Sequence, residues 1–160
     1  MEHFEKYLGL VYRYLGVRAR SEKEVRDYLK KKNAESDVEE KIISMLYEQK
    51  FLDDMAFAQS WIRSRARARP KGRKVLIMEL RQKGVSDEII TQALAEPEDD
   101  LPDELTQAKQ LIVRRVERLQ GEPRLVIYQK VGAFLARRGF DWDTTRKAID
   151  SVLQENKQDA

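Results

Sequence analysis

The sequence predicts an all-α protein of about nine helices, grouped as three tandem three-helix repeats that form an elongated, curved array. Three observations carry that expectation. Apolar residues recur at intervals of three and four rather than two, the period of one helix face. Only seven glycines and four prolines punctuate the 160 residues, and most fall where a periodic stretch stops. A plan of leucine, basic cluster, Gly or Asn stop, Ser or Asp cap and apolar helix occurs three times, starting at Leu29, Leu80 and Leu135. A three-helix unit of that size cannot bury its apolar faces alone, so neighbouring units are expected to stack.

Tyr7, Leu8, Val11, Tyr14 and Leu15 form the stripe of the first helix, Val25, Tyr28 and Leu29 that of the second, and Val38, Ile42, Met45 and Leu46 that of the third. Ser21 with Glu24, and Ser36 with Glu39, fit the capping box, in which a hydroxyl and a carboxylate exchange bonds with free N–H groups of the first turn. Helices are expected to begin just after both serines. Asp53 caps a fourth helix to about Arg69, burying Phe57, Ala58, Trp61 and Ile62, and Pro70 ends it because the residue before proline disfavours helical angles. A fifth helix spans about 71–83, with Leu76 and Leu80 in the core; the apolar run at 75–78 would also suit a short strand, but its neighbours are helix formers. Gly84 stops it, Ser86 starts the sixth, and Ile89, Ile90, Ala93 and Leu94 are its buried face.

Residues 97–104 hold two prolines and five acids without a base, which reads as an acidic linker. Leu105, Ala108, Ile112, Val116 and Leu119 mark a seventh helix, Gly121 and Pro123 break it, an eighth runs to Arg138 with Gly139 as stop, and Asp141 caps a ninth that carries Ala148, Ile149, Val152 and Leu153. The expected boundaries are therefore 1–50, 51–96, the linker 97–104, 105–155, and a disordered tail at 156–160.

Hydrophobic residues make up 41% and charged residues 37% of the chain, enough apolar matter for a core beneath an unusually wet surface. There is no cysteine and one histidine, His3. That removes disulfides, thiol nucleophiles, Cys or His metal clusters and histidine acid–base pairs. The pairs Asp53–Asp54 and Asp99–Asp100 meet no glycine-rich phosphate loop and no partner base, so they read as helix cap and linker rather than Mg²⁺ ligands. Neither an enzyme nor a cofactor is expected. Charges at Glu5, Lys6 and Arg13 interrupt the first apolar stretch, and no apolar run approaches membrane-spanning length. A cytoplasmic protein without membrane contact is expected.

Lys and Arg number 31 against 28 Asp and Glu, a small excess whose distribution matters more than its size. The third helices of the repeats are acidic and the second helices basic, and between Asp54 and Glu79 lie seven bases without an acid. One basic side is expected, built from Arg18, Arg20, Lys30 and Lys31 in the first repeat. The second contributes Arg63, Arg65, Arg67, Arg69, Lys71, Arg73, Lys74, Arg81 and Lys83, and the third Arg114, Arg115, Arg118, Arg137 and Arg138. Such a surface meets phosphate or acidic protein; the bland alternative is cations complementing helix C-termini. The helices joined across 83–86 look like a helix-turn-helix, yet the second offers Asp87 and Glu88 at its start, which phosphates repel, so sequence-specific duplex reading is not expected. Trp61, Tyr128 and Trp142 could stack on bases, but they lie near apolar stripes and are assigned to the core.

F-L-D-D-M-A-F-A at 51–58 and K-G-R-K-V-L-I-M-E-L-R-Q-K-G-V at 71–85 resemble RecX, a family of bacterial regulators of the RecA recombinase. R-A-R-S-E-K-E-V-R-D-Y-L at 18–29 resembles that family's first repeat. The likeness covers most of residues 4–95, and the third repeat matches more loosely. It departs at Asn33, where the family often has glycine. The resemblance implies tandem three-helix repeats and a negative regulator that binds the groove of the RecA–DNA filament, inhibiting ATP hydrolysis, strand exchange and coprotease activity. The expected partners are the RecA filament and DNA, bound without sequence preference by a monomer. The alternatives are a non-specific DNA-binding helical protein that occludes DNA, and a helical scaffold for an unrelated protein.

Overall fold

Side chains that accept the free N–H groups of the first turn set most helix starts. In the computed structural model, which describes residues 2–159, nine helices and no strands occur among the described residues: α1 (Glu2–Val17), α2 (Glu22–Lys31), α3 (Ser36–Glu48), α4 (Asp54–Arg67), α5 (Arg73–Gln82), α6 (Asp87–Ala95), α7 (Glu104–Arg118), α8 (Arg124–Arg137) and α9 (Trp142–Gln158). Ser21 and Glu24 form the expected capping box on α2. Asp53 accepts from Ala56 N–H at 3.0 Å on α4, Ser86 from Ile89 at 3.3 Å on α6, and Asp141 from Thr144 at 2.8 Å on α9. Asp103, expected within the linker, caps α7 by accepting from Thr106 at 2.7 Å.

Each second helix stops in the same way. The N–H of Ala34, Val85 and Phe140 donates to the carbonyl of Leu29, Leu80 and Leu135 at 3.0, 3.1 and 3.1 Å, the bond that closes a Schellman turn. The residue before each donor is left-handed: Asn33 at φ 64°, Gly84 at 79° and Gly139 at 93°. Asn33 therefore makes the same turn as the glycines, because asparagine tolerates left-handed backbone better than other residues with a side chain. All three leucines are fully buried.

Two compact units result: residues up to Trp61 with Leu80–Glu96, and Ile62–Glu79 with residues from Pro97 onward. The middle three helices are thus shared between the units. The first unit buries Val11, Val25, Leu29, Ile42, Ile43, Leu46 and Leu52. The second buries Ala108, Ile112, Val116 and Phe140 with the inner faces of α8 and α9. Phe57, Leu76 and Leu80 are buried as expected.

Four details differ from the expectations. Ser36 is the first residue of α3 rather than its cap, and the preceding Glu35 makes no side-chain cap. The carboxylate needed for a capping box there, that of Glu39, is taken by Arg26 of α2 at 2.9 Å. α4 ends at Arg67 and α5 begins at Arg73, leaving 68–72 as a turn that lies against the second unit's backbone. α9 continues to Gln158, so residues 156–158 of the expected tail are helical; Ala160 lies outside the described residues. Trp142, assigned to the core, is 59% exposed at the first turn of α9.

Arg26 also reaches Glu40 at 2.7 Å and Glu22 at 3.3 Å, and Glu39 is only 6% exposed. Arg26→Ala leaves that buried carboxylate without its cation, and is expected to cost about 2–3 kcal/mol. Adding Glu39→Ala should restore part of the loss. Chemical denaturation of both variants measures the recovery, and none at all would mean that the pair contributes nothing beyond packing.

Candidate nucleoprotein-binding surface

The candidate cations separate into those that have carboxylate partners and those that do not. In the first unit, Arg18 meets Glu24 at 2.6 Å, and Arg20 lies over the Tyr14 ring at 3.9 Å and 3.8 Å from the same carboxylate. Lys83 reaches Glu24 at 3.5 Å and lies over the Trp61 ring at 5.4 Å, while Ser21 Oγ donates to the Lys83 carbonyl at 2.6 Å. Arg81 pairs with Asp87 at 2.8 Å. These four cations hold the start of α2 and the α5–α6 turn in place. Lys30 and Lys31, in the last turn of α2, are exposed and have no carboxylate partner among the described residues.

In the second unit the expected cationic run is partly neutralised by the acids expected as a linker. Arg63 pairs with Glu98, Arg67 with Asp100 at 3.2 Å, and Arg65 with Glu79 at 2.8 Å. Glu104, already within α7, accepts from the Arg73 N–H at 3.1 Å. The acid-free stretch in the sequence is therefore not an acid-free surface, because its ion-pair partners come from 14, 33 and 35 residues further along.

Arg69, Lys71, Arg73, Lys74, Arg114, Arg115, Arg118, Arg137 and Arg138 have no side-chain carboxylate partner among the described residues, and nor does Lys130, which was absent from the expected set. Two glycines bring several of them together. Gly72 N–H donates to the Arg138 carbonyl at 2.7 Å, and Lys74 N–H to that of Gly139 at 3.3 Å. A Cβ on Gly72 would overlap the Gly139 and Phe140 backbone, and one on Gly139 would fall 2.6 Å from Val75 Cγ2. Bare backbone against bare backbone thus places Lys71, Arg73 and Lys74 beside Arg137 and Arg138. Arg115 and Arg138 also stack on the Phe134 ring, at 3.6 and 5.0 Å from its centroid. Among the described residues, no three His, Cys, Asp or Glu side chains converge to hold a metal ion, and no helix is long and apolar enough to cross a membrane.

Comparison with known proteins identifies the arrangement. Models of the first, second and third three-helix domains of RecX match residues 9–46, 53–94 and 102–149. The regulatory protein RecX of Prosthecochloris aestuarii is 36% identical over 148 residues, 92% of this chain and 94% of that protein. The chain belongs to the RecX family. RecX of Mycolicibacterium smegmatis is 38% identical over 96% of this chain and 83% of its own length. The crystal structure of RecX from Lactobacillus salivarius superposes with a TM-score of 0.81 at 27% identity, covering 96% of each chain. The RecX domain models span all three Schellman stops, at Asn33, Gly84 and Gly139.

Glu24 joins the domain-1 helix cap to three cations. Burial pushes its carboxyl up, but the Arg18 hydrogen bond, the Ser21 N–H and the charges of Arg18 and Lys83 outweigh that and hold it below its ordinary 4.5. A carboxyl depressed on folding contributes stability that is complete above its ordinary value and is lost as pH falls through the folded value. Glu24→Gln should therefore melt about 2–4 °C below the parent at pH 7, with the gap closing on acidification well below pH 4.5. Thermal melts across that range check the sign; a gap that widens with acid would contradict the assignment.

Proposed function

We propose that this chain is a negative regulator of the RecA recombinase in the bacterial cytoplasm, acting by binding the groove of the RecA–DNA filament and inhibiting ATP hydrolysis, strand exchange and coprotease activity. It acts as a monomer that binds rather than catalyses. Membership of the RecX family supports the partner. The observation that carries the binding mode is the set of cations left without carboxylates, concentrated in the second unit around the Gly72–Gly139 contact. A nucleoprotein filament is large, extended and anionic, and such a surface gains by releasing the filament's counterions.

Steady-state ATPase of RecA on DNA, with and without the chain, tests the proposal: a dose-dependent fall is expected, and an unchanged rate would refute it. Binding to naked DNA distinguishes the alternative of an occluding DNA-binding protein. Filament-directed binding should far exceed binding to DNA alone, whereas occlusion would give equal affinities and a salt slope near −0.7 to −0.9 per phosphate.

A further inference from the structure

Between α7 and α8, Arg115, Arg118 and Lys130 line a pocket of about 160 Å³ whose remaining lining is Leu119 and Val131. Among the described residues no carboxylate lines it. Two other cations of the same unit do meet an acid: Lys109 meets Glu155 at 2.6 Å and Arg124 meets Asp150 at 3.1 Å. Three uncompensated positive charges around one concavity repel each other, and an anion seated between them relieves that repulsion. Arg115 is also held ready. Its guanidinium is 3.6 Å from the centroid of Phe134, a ring that belongs to the buried core, so less side-chain freedom is lost when a ligand binds.

We infer that this pocket seats a phosphoryl group, with the nucleic-acid backbone or a free polyphosphate as its source. A carboxylate presents its two oxygens in one plane, whereas these three cations come from two helices, α7 and α8. A phosphoryl group spreads its charge over oxygens around a tetrahedral centre, which suits bidentate arginine and a lysine point charge at once. Leu119 and Val131 offer the apolar lining against which a sugar attached to the phosphate rests. The assignment deepens the proposed function, resting on it for the presence of DNA, and gives the chain a direct hold on the strand in addition to any contact with recombinase.

The test uses the full chain, a labelled 20-nucleotide oligothymidylate and inorganic pyrophosphate. Arg115→Gln, Arg118→Gln and Lys130→Gln combined should weaken oligonucleotide binding roughly tenfold or more, with circular dichroism unchanged because none of the three makes an ion pair among the described residues. Convergence on one phosphate predicts a log–log salt slope shallower by about 0.7. A change near 2 would mean three separate contacts and would overturn the seat, as would equal binding of both probes by variant and parent. Arg115→Lys keeps the charge but loses the fork and the stacking, and should lose much of the same affinity even if the triple variant folds poorly. A loss for the oligonucleotide alone assigns the backbone as source; a loss for pyrophosphate as well assigns a free polyphosphate. A parent chain that shows this variant-sensitive binding yet leaves the RecA–DNA ATPase untouched would sink the proposed function while the phosphate seat stands.

Discussion

Gly72→Ala is expected to lower the melting temperature by about 6–12 °C, the shift produced by about 3 kcal/mol in a chain of this size. A methyl group added in a tight core commonly costs about 1–3 kcal/mol because side chains move to admit it. Here the obstacle is the Gly139 and Phe140 backbone, well inside the 3.0 Å that real Cβ atoms respect, and backbone held by the Schellman turn cannot swing aside. Moving the 68–72 turn outward breaks the Gly72-to-Arg138 and Lys74-to-Gly139 bonds at 2.7 and 3.3 Å and withdraws Lys71, Arg73 and Lys74 from Arg137 and Arg138. Two readouts should therefore fall together: thermal stability, and RecA–DNA ATPase inhibition measured well below the melting temperature. A melt within about 1 °C of the parent would show that the contact is not tight.

The helices were legible in the sequence because their signals are local. A cap and the N–H it satisfies lie three residues apart, as in Asp53 with Ala56 and Asp141 with Thr144. A Schellman stop needs six consecutive residues, so Leu80 to Val85 can be recognised without knowing what surrounds them. Where expectation failed, a distant group had intervened. Ser36 does not cap because α3 starts at Ser36 itself, with the Glu39 N–H on the Glu35 carbonyl at 2.9 Å, while Arg26, 13 residues before Glu39, holds the carboxylate a capping box would need. The arginines of α4 looked like bare surface because Glu98 and Asp100 are separated from them by two further helices. The Gly72–Gly139 contact joins residues from different repeats and leaves no periodic trace. Trp142 was assigned by its apolar neighbours, yet the cap at Asp141 fixes where α9 begins and leaves the indole on the outer side, touching Tyr128 with ring centroids 6.3 Å apart. Charge composition thus located the basic segments, and only the pairing showed which of them are available.

That distinction yields a decisive comparison between two triple charge reversals. Arg69, Lys74 and Arg137 are exposed and have no carboxylate partner among the described residues, so changing all three to Glu should leave helix content intact. A glutamate in the last turn of α8 opposes the helix dipole by about 0.3–1 kcal/mol, and one in the first turn of α5 gains a similar amount. Against an anionic filament the same changes turn three attractions into repulsions, and like charges brought together at an interface cost several kcal/mol. At about 1.4 kcal/mol per tenfold, inhibition of the RecA–DNA ATPase should need more than roughly a hundredfold higher dose. Reversing Arg63, Arg65 and Arg67 instead opposes Glu98, Glu79 and Asp100, and should appear first as lost stability. The chain that survives at low temperature should still inhibit. If the α4 reversal abolishes inhibition in a folded protein while the Arg69, Lys74 and Arg137 reversal leaves it at the parent's dose, carboxylate pairing does not mark which cations meet the filament, and the binding surface lies on α4.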